Sequence, residues 1–169
     1  CTPNGEFPRG AEPLPHNLKQ LGDAVKKHNA HVGFATDPDG DRLAVVDEFG
    51  IPLGEEYTLT ICADGILSTH DIATPLVTNL STTMALDKVC EKYKNTVVRS
   101  SVGEINVVNL MKEQNSVLGG EGNGGVILPE SHYGRDSLVG VSLFLNRMSQ
   151  TDNSVSKIFA SMPQFYMVK

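Results

Sequence analysis

Asp37, Asp39 and Asp41 alternate along the run Asp37-Pro38-Asp39-Gly40-Asp41-Arg42. Three carboxylates so close repel one another unless a cation lies among them, so the run reads as a metal loop. Hard oxygen donors favour Mg²⁺, Mn²⁺ or Ca²⁺ over zinc, and three protein carboxylates leave coordination positions for water or a phosphoryl oxygen. The sharpest competing motif is a calcium EF-hand, whose loop positions 1, 3, 5 and 12 would be Asp37, Asp39, Asp41 and Glu48. Against it, Arg42 stands where that loop turns on a glycine, and the flanks read as strands where helices are needed. A solvated acidic turn is the bland alternative. Arg42 carries a permanent, forked charge that matches phosphate geometry, which makes it the candidate catalytic residue. Its competing role is simply to pair with the aspartates beside it.

A second run, Gly119-Gly120-Glu121-Gly122-Asn123-Gly124-Gly125, formally contains G-x-G-x-x-G. A dinucleotide site needs a helix to start there, yet the apolar Val126-Ile127-Leu128 before Pro129 reads as a strand, and Glu121 would face a pyrophosphate with like charge. A carboxylate and an amide on a glycine-rich backbone suit a sugar, because Glu121 can accept from two vicinal hydroxyls while Asn123 both donates and accepts. A plain tight turn, its glycines supplying positive φ, competes on pattern alone. In His132-Tyr133-Gly134-Arg135-Asp136, a helix cap with a surface pair is preferred over His132 or Arg135 facing a cleft.

The elements that must position these loops follow an α/β rhythm. Four prolines between Cys1 and Pro15 forbid regular structure there. Leu18, Leu21, Ala24 and Val25 mark an amphipathic helix over 17–28. Strands are expected at 31–36 and 43–47, so that the acidic run lies between two strands. A helix over 57–68 precedes the polar Thr69-His70-Asp71, a candidate boundary. Strands at 74–79, 96–99, 116–118 and 125–128 then interleave with helices at 83–94, 104–113 and 136–148, the last capped by Asp136. One more short helix is expected before Pro163.

A chain of 169 residues can bury a real core, and its formal charge of −6 opposes nucleic-acid and membrane-surface binding, both of which need a basic face. Three widely spaced cysteines suggest neither a disulfide framework nor a zinc knuckle, and a reducing cytoplasm is the expected location. No apolar run is long enough for a membrane span, and the N-terminus carries no export signal. Starting at Cys1 and running straight into turn residues, the sequence is expected to be a fragment.

Taken together, the acidic and glycine loops resemble those of the α-D-phosphohexomutases, the phosphoglucomutases, phosphomannomutases and phosphoglucosamine mutases. Their metal loop is usually D-G-D-[GA]-D-R, from which Pro38 departs. Their sugar loop is G-E-x-S-G, with Asn123 here at the serine position. Gly125 replaces a histidine found in many members, and Glu104 lies where some carry a basic phosphate contact. The resemblance extends from the loop Pro3-Asn4-Gly5-Glu6-Phe7-Pro8 to the final long helix. It implies two three-layer α/β/α units with mixed sheets, the first incomplete: residues 1–69 as the later half of the family's second domain and 70–169 as its third. It further implies Mg²⁺ on Asp37, Asp39 and Asp41, a hexose phosphate on Glu121 and Asn123, and the enzyme's other domains as partners. Neither the T-A-S-H-N-P context of the family's phosphoserine nor its R-x-S-x-T-x-P clamp occurs in the sequence, so the chain alone is expected to be inactive. Two other readings compete: a free-standing, metal-dependent sugar-phosphate binding module, and a metal-dependent phosphatase, for which the expected Asp-x-Asp-x-Thr pattern is missing.

Overall fold

The structure, a computed structural model, describes residues 4–6 and 9–165. The readings made for Cys1, Pro3, Phe7 and Pro8, and for the tail beyond residue 165, lie outside the described residues.

Strands β1 (Gly33–Thr36) and β2 (Leu43–Val46) pair antiparallel from Gly33↔Val46 to Thr36↔Leu43, which leaves residues 37–42 as the loop that closes the hairpin. Alternation along β2 assigns its two faces. Ala44 and Val46 pack with Leu18 and Val25 under helix α1 (Lys19–His28), while Leu43 and Val45 enter the main core on the other side. The helix begins later than its apolar spacing predicts because Pro15–Asn17 form a 3₁₀ turn, with the Asn17 side chain donating to the Glu12 carbonyl.

The second sheet is mixed. Its order is β4 (Val97–Ser100), β3 (Leu76–Asn79), β5 (Gly119–Gly120) and β6 (Val126–Ile127), with β3 parallel to both neighbours and β6 antiparallel to β5. On one face Val77 and Ile127 pack with Val107, Val108 and Met111 of helix α4 (Glu104–Gln114). On the other, Leu76 and Val126 join residues of α2 (Glu56–Thr69), α3 (Ala85–Lys92) and α5 (Ser137–Ser149) in the largest core cluster. The result is a three-layer α/β/α arrangement. A short α6 (Val155–Ala160) ends before Pro163, as the sequence suggests. Strand β5 forms after Leu118, not over 116–118, because the end of α4 uses those residues: Asn115 takes a left-handed conformation and the Ser116 amide returns to the Met111 carbonyl.

Helix α2 lies at the centre and is buried on nearly all sides, packing on α3 and α5 although the candidate boundary Thr69-His70-Asp71 follows it. Its Asp64 is fully buried and is met by Lys92 Nζ (3.0 Å), Tyr93 Oη (2.9 Å) and Arg147 Nε (2.7 Å). Burial would push this carboxyl upward; the bonds from Lys92 and Tyr93 and the charge of Arg147 outweigh it and hold it below its ordinary value. Among the described residues, no helix is long and apolar enough to cross a membrane.

Two features bring the loops together. The chain leaves β3 through α3 to reach β4 on one side, then crosses the opposite face through α4 to reach β5 on the other, so the boundary between β3 and β5 is the topological switch point of this sheet. Glu121 follows β5 at that point. The hairpin of the first sheet docks beside it, with Arg42 bridging Gly125 and the Leu43 amide donating to the Gly124 carbonyl at 3.0 Å. Gly124 has φ +93°, and a Cβ there would stand 2.4 Å from the Leu43 carbonyl oxygen, so this approach of the two backbones requires glycine.

Candidate metal centre and glycine-rich loop

The β1–β2 loop turns tightly around Asp37. One of its carboxylate oxygens accepts from the amides of Asp41 (3.1 Å) and Arg42 (3.0 Å), and the other from Arg42 Nε at 2.5 Å. Asp37 is buried, Asp39 exposed and Asp41 between the two. Burial pushes the Asp37 carboxyl up, but the Arg42 guanidinium and amide bring it well below the usual carboxylate range. Asp41 moves the other way: burial and contact with Asp37 raise it against the pull of Arg135.

The donor set fits a hard divalent ion. One oxygen from each of Asp37, Asp39 and Asp41 lies within 4.8 Å of the others, close to the roughly 4.2 Å between opposite oxygens around Mg²⁺. Asp41 Oδ1 is buried without a hydrogen-bond partner, an orphaned acceptor on the one aspartate whose charge is disfavoured. The EF-hand alternative loses its twelfth ligand, because Glu48 instead accepts from the Ser156 amide and hydroxyl at the start of α6. Arg42 does pair with its neighbour Asp37, and its Nη1 lies 3.4 Å from Glu12.

Glu121 is 3% exposed, and its carboxylate is held from all sides. Oε1 accepts from Asn79 Nδ2 (2.6 Å) and the Gly103 amide (3.3 Å); Oε2 accepts from Arg135 Nη1 (2.6 Å) and Asn123 Nδ2 (3.4 Å). Asn123 also receives the Gly125 amide on its side-chain oxygen at 3.1 Å. Behind them Thr82 accepts the Gly122 amide and donates to Asn79, while Arg99 braces the β3–α3 turn through the carbonyls of Asn79 and Thr82.

Arg135 is the residue whose placement sequence reasoning missed. The preference for a helix cap with a surface pair holds for its neighbours: Asp136 caps α5 through the amides of Leu138 and Val139, and exposed His132 lies 2.9 Å from the Asp136 carboxylate. Arg135 itself turns inward and is 17% exposed. Its Nη2 meets Asp41 Oδ2, its Nη1 meets Glu121 Oε2, its Nε lies 3.3 Å from Glu104 Oε2 and its amide donates to Glu104 Oε1. A Cβ at Gly125 would stand 2.2 Å from Arg135 Cδ, so the bare backbone of the glycine loop is what lets this side chain lie across it. One guanidinium thus touches an aspartate of the acidic loop and the glutamate of the glycine loop, so the two loops meet at this side chain. The only sequence signal was an arginine directly before a helix cap.

Residues 1–50 match the family description "Phosphoglucomutase/phosphomannomutase, alpha/beta/alpha domain II", and residues 54–166 match "alpha/beta/alpha domain III" of the same family. A phosphoglucomutase/phosphomannomutase of Thermococcus kodakarensis is 33% identical over 99% of this chain, which spans 37% of that protein. A phosphoglucosamine mutase of Pelobacter propionicus is 32% identical over 85% of the chain and 33% of its own length. Among solved structures, a phosphoglucomutase/phosphomannomutase family protein from Burkholderia thailandensis superposes with a TM-score of 0.78 at 25% identity, over 89% of this chain and 32% of that one. The chain therefore spans about a third of the length of these relatives.

Proposed function

The chain belongs to the α-D-phosphohexomutase family, and from that premise we propose that it is the part of a hexose-phosphate mutase that carries the cation loop and the sugar loop. The complete enzyme interconverts hexose 1-phosphate and hexose 6-phosphate through a bisphosphate, with its phosphoserine and phosphate clamp on other domains, and works in the cytoplasm. We take the division between the two units to lie before α2, a reading supported by the matched ranges 1–50 and 54–166 and by the packing of α2 on α3 and α5.

Asp37, Asp39 and Asp41 hold Mg²⁺ in this reading. When bound, the cation neutralises charge on the phosphoryl oxygens during transfer. Arg42 holds Asp37 ionised through Nε and, with Nη1 3.4 Å from Glu12, adds positive charge beside the same loop. Glu121 and Asn123 orient the sugar through adjacent hydroxyls, which supplies positioning and leaves the bond-making to groups elsewhere. The Glu121 carboxylate already accepts four hydrogen bonds, so a sugar hydroxyl reaches it by displacing Asn123 or Arg135.

The observation that supports the reading is the Arg135 guanidinium spanning Asp41 and Glu121, which joins the acidic loop to the glycine loop through one side chain. Electron paramagnetic resonance titration of the chain with Mn²⁺ tests it: one site is expected, lost in Asp39→Asn/Asp41→Asn. Failure to bind Mn²⁺ at millimolar concentration would overturn the proposal. Turnover of glucose 1-phosphate by residues 1–169 alone would contradict the assignment of the phosphoserine to another domain, and mutase activity of the longer enzyme on glucose, mannose or glucosamine phosphates is the corresponding positive result.

A further inference from the structure

We infer that Arg135 is a positioning residue that couples the two loops, making the cation affinity of Asp41 depend on what occupies Glu121; this rests on the cation-loop reading above. The guanidinium is shared, with Nη2 on Asp41 and Nη1 on Glu121, and it is mostly buried, so solvent cannot substitute freely for either carboxylate. Neither partner has slack. Glu121 accepts from four donors, and Asp41 has one oxygen on Arg135 while the other is buried without a hydrogen bond, 3.8 Å from Arg42 Nε.

The direction of coupling follows from competition. A cation and Arg135 both neutralise Asp41, and the hold of Arg135 on Asp41 weakens when Glu121 takes a larger share of its charge. Removing the charge of Glu121 returns the guanidinium to Asp41 and so weakens cation binding. In reverse, a cation on Asp41 frees Nη2, and linkage requires the reciprocal effect on whatever binds at Glu121. Glu104 fixes the backbone from which the side chain starts: it accepts the Arg135 amide, and its other oxygen lies 3.3 Å from Nε, which makes no hydrogen bond, while the two terminal nitrogens divide between the loops.

A lysine cannot do this. Its ammonium keeps the charge but is a single point on a flexible stem, without the planar fork that reaches two carboxylates at once. Arg135→Lys therefore separates bridging from charge. The test is a double-mutant cycle on Mn²⁺ affinity, measured by paramagnetic resonance with the full chain. Glu121→Gln is expected to weaken Mn²⁺ binding about five-fold or more in the wild-type background, the lower end of typical coupling between sites. In the Arg135→Lys background the same substitution should change it by less than about two-fold. An equal effect in both backgrounds, or none in the wild type, overturns the inference while leaving the cation site intact; absence of Mn²⁺ binding in the wild type removes the site itself. An independent measurement needs no variant. The guanidinium ¹⁵N–¹H signals of Arg135 should shift when Mg²⁺ is added, and unchanged signals at saturating Mg²⁺ would overturn the inference even if the substituted chains fail to fold.

Discussion

Asn79 donates its side-chain amide to Glu121 at 2.6 Å, joining the end of β3 to the loop after β5 across the switch point of the sheet. Both residues are almost fully buried. The Asn79 side-chain oxygen accepts in turn from Ser81 and Thr82, so a single amide sets the β3–α3 turn and the direction of the Glu121 carboxylate. Asn79→Ala should cost about 1–3 kcal/mol, the penalty for leaving buried polar groups short of a partner. Urea unfolding measures the loss, and titration with a hexose phosphate should weaken in parallel; unchanged sugar binding would separate Glu121 from the ligand.

Gly124→Ala tests the junction between the two sheets. Positive φ and the Leu43 carbonyl both oppose a Cβ at this position, and the expected cost is about 2 kcal/mol or more. Because the bridge between Arg42 and Gly125 is next to it, cation affinity should fall along with the unfolding midpoint.

Removing divalent ions should lower stability if the aspartates hold one. At Mg²⁺ concentrations near 100 times the dissociation constant, binding stabilises the native state by about 2.7 kcal/mol. For a chain of this size that raises the melting midpoint by roughly 5–10 °C. EDTA should reverse the rise, and Asp39→Asn/Asp41→Asn should show none.

Glu48 predicts an acid limb to stability. Burial would raise its carboxyl, but the hydroxyls of Ser154 and Ser156, with backbone amides, bring it down to about 2. A folded-state value below the unfolded one means that ionised Glu48 stabilises the fold above the ordinary carboxylate range, and that the contribution disappears as pH falls toward 2. Glu48→Gln should be less stable than wild type at pH 7 by about 1 kcal/mol after solvent screening. The two melting curves should converge between about pH 4.5 and pH 2; a constant gap would show that the carboxylate charge is not the cause.

Asp64 should prove the most sensitive of the ionised positions. Asp64→Ala strips Arg147 of its carboxylate partner in the core between α2 and α5, with an expected loss of about 3 kcal/mol. Asp64→Asn should lose less, since it keeps an acceptor for Tyr93. Chemical denaturation distinguishes the two.

Much of the fold was legible in the residues because its causes are local. Apolar spacing located the helices, β-formers on either side of the acidic run produced the hairpin, and Asp136 capped α5 through the next amides in the chain. The closeness of Asp37, Asp39 and Asp41 is equally local, since a loop closed by the Thr36↔Leu43 pair leaves alternate side chains little room to separate. The position of β5 was less legible, because the left-handed end of α4 consumed residues that strand composition had claimed.

What the linear chain determined, then, was which residues carry charge and how each turn is built; which charges face one another was decided by tertiary packing. Arg135 is 94 residues from Asp41 and 14 from Glu121, and nothing in its neighbours fixes whether it turns outward or in. That choice follows from α5 docking against β6, where the Asp136 amide bonds to the Val126 carbonyl and the side chain before it is laid across the bare backbone of Gly125. A guanidinium held between two carboxylates depends on the meeting of three separate elements, and no periodicity along a single segment encodes such a meeting.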